Sequence, residues 1–141
     1  MPLGDALGSR ADHSLNGIDV LVVDDKEDSL DMLRQLLEHA GATVRTAASA
    51  TDALVQWRAH QPDLVVAAIG LPVMDGYQLL RELRAHSGPT GRVVPALAVT
   101  AYAMDADRAK AIAAGFHGHV AKPVDPDAFI AAAAAIAHQY T

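Results

Sequence analysis

The chain has 141 residues, enough for a single domain with a proper core, and 51% of them are hydrophobic. A net charge of −6 with scattered basic residues argues against nucleic-acid binding, and the lack of cysteine excludes disulfides and thiol chemistry. No apolar run reaches the roughly 18 residues of a membrane span and no secretory signal opens the chain, so a cytoplasmic domain is expected.

Residues 1–16 mix Gly, Pro, Ser and charge without periodicity and read as a flexible leader or linker remnant, leaving 17–141 as the domain. Ile18 to Val23 (IDVLVV) is a short β-branched run that stops at Asp24 and Asp25, the pattern of a strand buried on both faces. From Glu27 to Ala40 the period changes: Leu30, Leu33 and Leu37 form a helical stripe widened by Leu36 and Ala40, and Gly41 closes it. Thr43 to Ala47 is a second strand. Ser49 or Thr51 can cap the next helix, on which Ala53, Leu54 and Trp57 share a face. Leu64 to Ile69 (LVVAAI) is the third strand, and Tyr77 to Ala85 the third helix. HSGPTG is a loop by composition, and VVPALAV, Val93 to Val99, is the fourth strand. Asp105 to Ala114 predicts a fourth helix stopped by Gly115, and His119 to Ala121 a fifth strand. Asp125 and Pro126 open a last helix as N-cap and first helical position, with Phe129, Ala133 and Ile136 on its narrow buried stripe. Five strand–helix alternations with connections of this length force parallel strands, right-handed crossovers and helices on both faces: an α/β, doubly wound five-stranded sheet.

In open parallel sheets active groups gather at the carboxyl ends of the strands. Those ends carry Asp24 and Asp25 after the first strand, Ala68-Ile69-Gly70 at the third, Thr100-Ala101 after the fourth and Lys122-Pro123 after the fifth. Two acids, a hydroxyl and an ammonium therefore converge from distant parts of the chain.

In VLVVDD, the LPVMDG turn, VTA and KP, in that order and spacing, the sequence resembles the receiver domains of two-component response regulators, with the chemotaxis receivers as small examples. The likeness covers Ile18 to about His138 and implies the flavodoxin-like sheet order 2-1-3-4-5. It also implies that Asp24, Asp25 and the Gly70 carbonyl hold Mg²⁺, that Thr100 bonds a phosphoryl oxygen, and that Lys122 neutralises another. The family's nucleophile is an aspartate at the end of the third strand, and Ala68 occupies that position here. Asp63 lies roughly 16 Å away along the strand, and Asp75 lies beyond Pro72, so neither replaces it.

Alanine cannot form an acyl-phosphate, so phosphotransfer catalysis is expected to be lost and Mg²⁺ binding weakened, with Lys122 free to pair with Asp25 or Asp24. Two accounts fit: a substitution that fixes an ordinary receiver in its unphosphorylated form, or a natural pseudo-receiver acting as an interaction module. The survival of every other pocket group favours the first. The resemblance implies a histidine kinase or histidine phosphotransfer domain as partner. It also implies self-association or effector binding through the fourth helix, fifth strand and fifth helix, with Thr100 and His119 as switch positions. Tyr102 is a candidate for the pocket rim. A phosphatase of the haloacid dehalogenase type is the enzyme alternative, but it needs a D-x-D motif and room for a cap; no Walker loop or G-x-G-x-x-G is present. His117 and His119 form an H-x-H pair with no further ligand apparent.

Overall fold

The computed structural model describes residues 14–86, 93–101 and 105–140. Among these residues the chain alternates β1 (Asp19–Val23), α1 (Glu27–His39), β2 (Thr43–Ala47), α2 (Ala50–Ala59) and β3 (Leu64–Ala68). It continues through α3 (Gly76–Ala85), β4 (Ala96–Thr100), α4 (Asp105–Ala114), β5 (Gly118–Ala121) and α5 (Pro126–Tyr140). The strands form one sheet in the order β2-β1-β3-β4-β5, every pairing parallel, as the alternation predicts.

Successive side chains on a strand face opposite sides, so a central strand must be apolar throughout. In β1, Leu21 and Val23 join the core that contains Trp57, Leu79, Leu80, Leu83 and Phe116. Val20 and Val22 join the opposite core, with Leu33, Leu37, Phe129 and Ala133. The alanine run of α5 is therefore a packing device. Ala133 and Ala137 are fully buried, and small residues let the helix lie close to the sheet.

Local chemistry sets the element ends. Ser49, one of the two candidate caps, accepts the Asp52 N–H at 3.1 Å, and Asp125 accepts that of Ala128 at 3.2 Å. Gly41, at φ 100°, takes the left-handed position after α1. Asp75 and Gln78 form a reciprocal capping box that starts α3 at Gly76, one residue before the apolar stripe alone predicts.

Most element ends fall within one residue of expectation, and two boundaries differ by more. β4 begins at Ala96 because Pro95 has no N–H for the ladder; its carbonyl still accepts from Val65 N at 3.0 Å. Ser14 to Asn16, assigned to the leader by composition, pack on the domain. Leu15 is fully buried, its N–H donates to Ala40 O at 2.9 Å, and the Ser14 carbonyl meets His138 Nε2 at 2.7 Å. One apolar residue in a polar stretch shows no period, so its burial was illegible.

Candidate functional site

Each candidate side chain stands at or just past the end of a strand, and the ladder hydrogen bonds run on far enough to fix it. Asp24 N donates to Ala47 O at 3.2 Å, carrying the β1–β2 pairing one residue beyond Val23. Ile69 N donates to Val99 O at 3.1 Å and Lys122 N to Thr100 O at 2.8 Å, which extend the β3–β4 and β4–β5 pairings in the same way. Because Val23 pairs with Ala67, Asp24 and Ala68 stand next to each other at the same edge.

The loop from Gly70 to Asp75 folds back on the end of β3. Gly76 N donates to Ile69 O at 2.8 Å, and a Cβ at Gly76 would lie 2.5 Å from Ala68 O, so glycine is required there. This clamp explains the spacing between the strand and the Asp-Gly pair and leaves Gly70 exposed on the rim.

These ends enclose a cleft of about 170 Å³ lined by Asp24, Asp25, Lys26, Ala68, Gly70, Val99, Thr100, Ala101 and Lys122. Asp24 is 1% exposed and Thr100 4%, whereas Asp25 is open to solvent. Asp24 divides its two oxygens: Oδ1 accepts Lys26 N–H at 3.0 Å and Oδ2 faces the Lys122 ammonium at 3.3 Å. The first contact also ties down the N-cap of α1, whose own side chain makes no cap bond. The Lys122–Pro123 peptide bond is cis.

The structure thus brings together Asp24, Asp25, Ala68, Gly70, Thr100 and Lys122, drawn from four strand ends. Lys26 is an addition: it follows the acid pair directly, and only the turn into α1 reveals that it reaches the cleft. His119 sits on β5 opposite Ala98, half-buried, one pleat from the edge; Tyr102 lies outside the described residues. His117 belongs to the other end of the sheet, where its Nδ1 accepts Ala96 N–H at 3.2 Å and its ring lies against that of Tyr140, centroids 4.2 Å apart and planes tilted by 50°. Among the described residues no three His, Cys, Asp or Glu side chains gather around a common point, so the H-x-H pair gains no further ligand. The two acids left from strand-end alternatives are engaged elsewhere. Asp63 accepts Asp19 N–H at 2.9 Å at the amino edge, and Asp75 caps α3.

The donors that face the cleft, two carboxylates and a backbone carbonyl position, are all oxygen, which suits a hard divalent cation better than a soft one. No helix among the described residues is long and apolar enough to cross a membrane.

Comparison with known proteins bears on the same residues. Residues 20–134 match the family model described as the response regulator receiver domain. A 14.6 kDa uncharacterized protein of Leptolyngbya boryana is 42% identical over 114 residues, covering 81% of this chain and 86% of its own. The polar-differentiation response regulator DivK of Brucella ovis is 34% identical over 112 residues, covering 79% and 89%. Among solved structures, chemotaxis protein CheY4 of Vibrio cholerae superimposes with a TM-score of 0.78 at 26% identity, covering 84% of this chain and 98% of that one.

Proposed function

The chain belongs to the response regulator receiver family, and on that premise we propose that it is a receiver of a two-component system or phosphorelay that cannot accept a phosphoryl group at its strand-3 position. The observation that carries this reading is Ala68, whose methyl stands at the end of β3 beside Asp24 and lines the cleft with Thr100 and Lys122. Phosphoryl transfer depends on an in-line nucleophile and on charge neutralisation around the moving group. A methyl supplies no nucleophile, while the neutralising groups remain.

Mg²⁺ fits the oxygen donors of the cleft. Asp24, Asp25 and the Gly70 carbonyl would hold it, and when bound it would neutralise charge on a phosphoryl group. The protein's own residues do the rest. Lys122 and Thr100 would bond phosphoryl oxygens, and the extended ladder keeps both within the cleft. At rest Lys122 lies against Asp24, which tempers the burial of that carboxylate and competes with any cation for it.

In this form the chain acts as an interaction module with the shape of an unphosphorylated receiver, and it is not an enzyme. Its partners are a histidine kinase or histidine phosphotransfer domain, or an effector at the α4–β5–α5 face. A position fixed by substitution and a natural pseudo-receiver predict the same chemistry for the chain as written and differ in the revertant. Incubation with acetyl phosphate and Mg²⁺, followed by intact-mass measurement, should show no added phosphoryl group, and Ala68→Asp should gain one. Stable labelling of the unaltered chain would refute the proposal. A silent Ala68→Asp would identify a pseudo-receiver whose pocket no longer supports the chemistry.

A further inference from the structure

Ala68 is 3% exposed and shares the cleft wall with the hydroxyl-bearing Thr100 and with both members of the Asp24–Lys122 pair. The space in front of it is bounded by polar groups, and the cleft volume of about 170 Å³ far exceeds the roughly 10–15 Å³ that one water needs. The lining residues include two aspartates and two lysines, so their formal charges cancel.

Neither a cation nor an anion enters easily alone. A divalent cation bound through Asp24 comes up against the Lys122 ammonium, which Oδ2 already holds at 3.3 Å, and the two positive charges repel. An anion placed beside Ala68 meets the repulsion of Asp24 and Asp25 with no new positive charge to offset it. Together they solve both problems: the anion becomes the partner of Lys122, and Asp24 is released to the cation.

Resting on the reading that a carboxylate belongs at the end of β3, we propose that the cleft takes up a small free carboxylate of the size of formate or acetate together with a divalent cation. The free carboxylate occupies the space beside Ala68, bonds Thr100 and Lys122, and completes the oxygen shell that Asp24, Asp25 and Gly70 begin. Because the two ligands help each other, each raises the affinity of the other by the same factor.

Mn²⁺ binding measured by electron paramagnetic resonance, in sodium formate and in sodium chloride at equal ionic strength, tests this directly. The unaltered chain should bind Mn²⁺ at least tenfold more tightly in formate. Ala68→Val, which fills the space, and Lys122→Met, which removes the partner of the anion, should each lose the formate dependence. Lys122→Met should also bind Mn²⁺ more tightly than the unaltered chain in chloride, since the competing ammonium is gone. Ala68→Asp should bind tightly in both salts. Equal affinity of the unaltered chain in the two salts, beside tight binding by Ala68→Asp, overturns this inference and leaves the receiver reading intact. A formate effect that survives in a folded Ala68→Val or in Lys122→Met overturns it as well. Failure of Ala68→Asp to bind Mn²⁺ would show that a carboxylate at the end of β3 does not complete a cation site, which overturns that premise and this inference with it and leaves the pseudo-receiver account.

Discussion

The two edges of the sheet are both lined with ionisable side chains, and they engage them differently. At the amino edge donors grip backbone carbonyls. Arg45 donates to Gln56 O at 3.2 Å and His60 O at 2.8 Å, Arg84 donates to Val94 O and, at 3.1 Å, to Gly115 O, and the Trp57 indole donates to His86 O at 2.9 Å. Most of these carbonyls lie at the C-terminal ends of α2, α3 and α4, where helix carbonyls lack internal partners and the macrodipole is negative. At the carboxyl edge the charged groups face each other across an open cleft, and Lys122 holds a side-chain carboxylate. Arg45 also faces the Asp19 carboxylate at 3.4 Å, but it and Arg84 are each anchored by two backbone carbonyls that cannot move away, so they fix structure. A cation paired with a carboxylate beside water can exchange partners, and function follows from that freedom.

The contrast predicts that amino-edge substitutions damage stability and leave cation binding alone. Trp57→Ala should have the largest effect, about 3–5 kcal/mol in urea denaturation, because it empties a fully buried site and removes the donor to His86 O. Arg84→Met should follow at about 2–3 kcal/mol, since both carbonyls it serves lose a charge-assisted bond while the methionine keeps part of the packing. Mn²⁺ affinity should be unchanged in both folded variants. A drop in either would mean the edges are coupled, and the division drawn above would fail.

Lys122→Met probes the other edge. Stripping the partner from a buried carboxylate is ordinarily severe, but Asp24 keeps its bond from Lys26 N–H and borders an open cleft that water can enter. The loss should therefore stay near 1 kcal/mol, and added Mg²⁺ should recover more stability in the variant than in the unaltered chain, because a ligand stabilises in proportion to its affinity for the folded state. A loss as large as that of Arg84→Met, unresponsive to Mg²⁺, would make Lys122 a structural latch like its counterparts at the amino edge.

The sequence made the sheet and the carboxyl edge legible for the same reason. Two-faced burial makes the central strands β1, β3 and β4 apolar runs, the polar residues Asp24 and Thr100 mark the ends of β1 and β4, and the ends of parallel strands coincide in space. Asp24, Thr100 and Lys122 could be collected that way. The amino edge was illegible because its contacts join side chains to backbone far away in sequence, as Arg84 does with Gly115. Nothing in the identity of an arginine on a helix reveals which carbonyls it will reach. Leu15 and Lys26 escaped for a related reason, since each owes its place to a turn whose path has no periodic signal.

The smallest expected effect lies at the amino edge and concerns pH. His117 accepts Ala96 N–H through Nδ1, donates its backbone N–H to Ala96 O at 2.8 Å, and lies against the tilted ring of Tyr140. Burial, and then the neighbouring Arg84 guanidinium, hold its pKa below the ordinary histidine value. The unfolded chain then binds more protons than the folded one just below that value, so stability rises with pH there. The contribution is fully present above about pH 6.5 and is lost as pH falls through the depressed folded value. His117→Asn can still accept the Ala96 N–H and has no proton to gain, so between pH 7.5 and 5.5 its urea midpoint should fall less than that of the unaltered chain. Equal falls would assign the acid loss to the other histidines. Nitrogen chemical shifts give an independent check, because a ring that accepts through Nδ1 carries its proton on Nε2. An Nδ1–H tautomer at neutral pH would show that the imidazole does not accept the Ala96 N–H, leaving the backbone bond from His117 N to Ala96 O as the contact between the two residues.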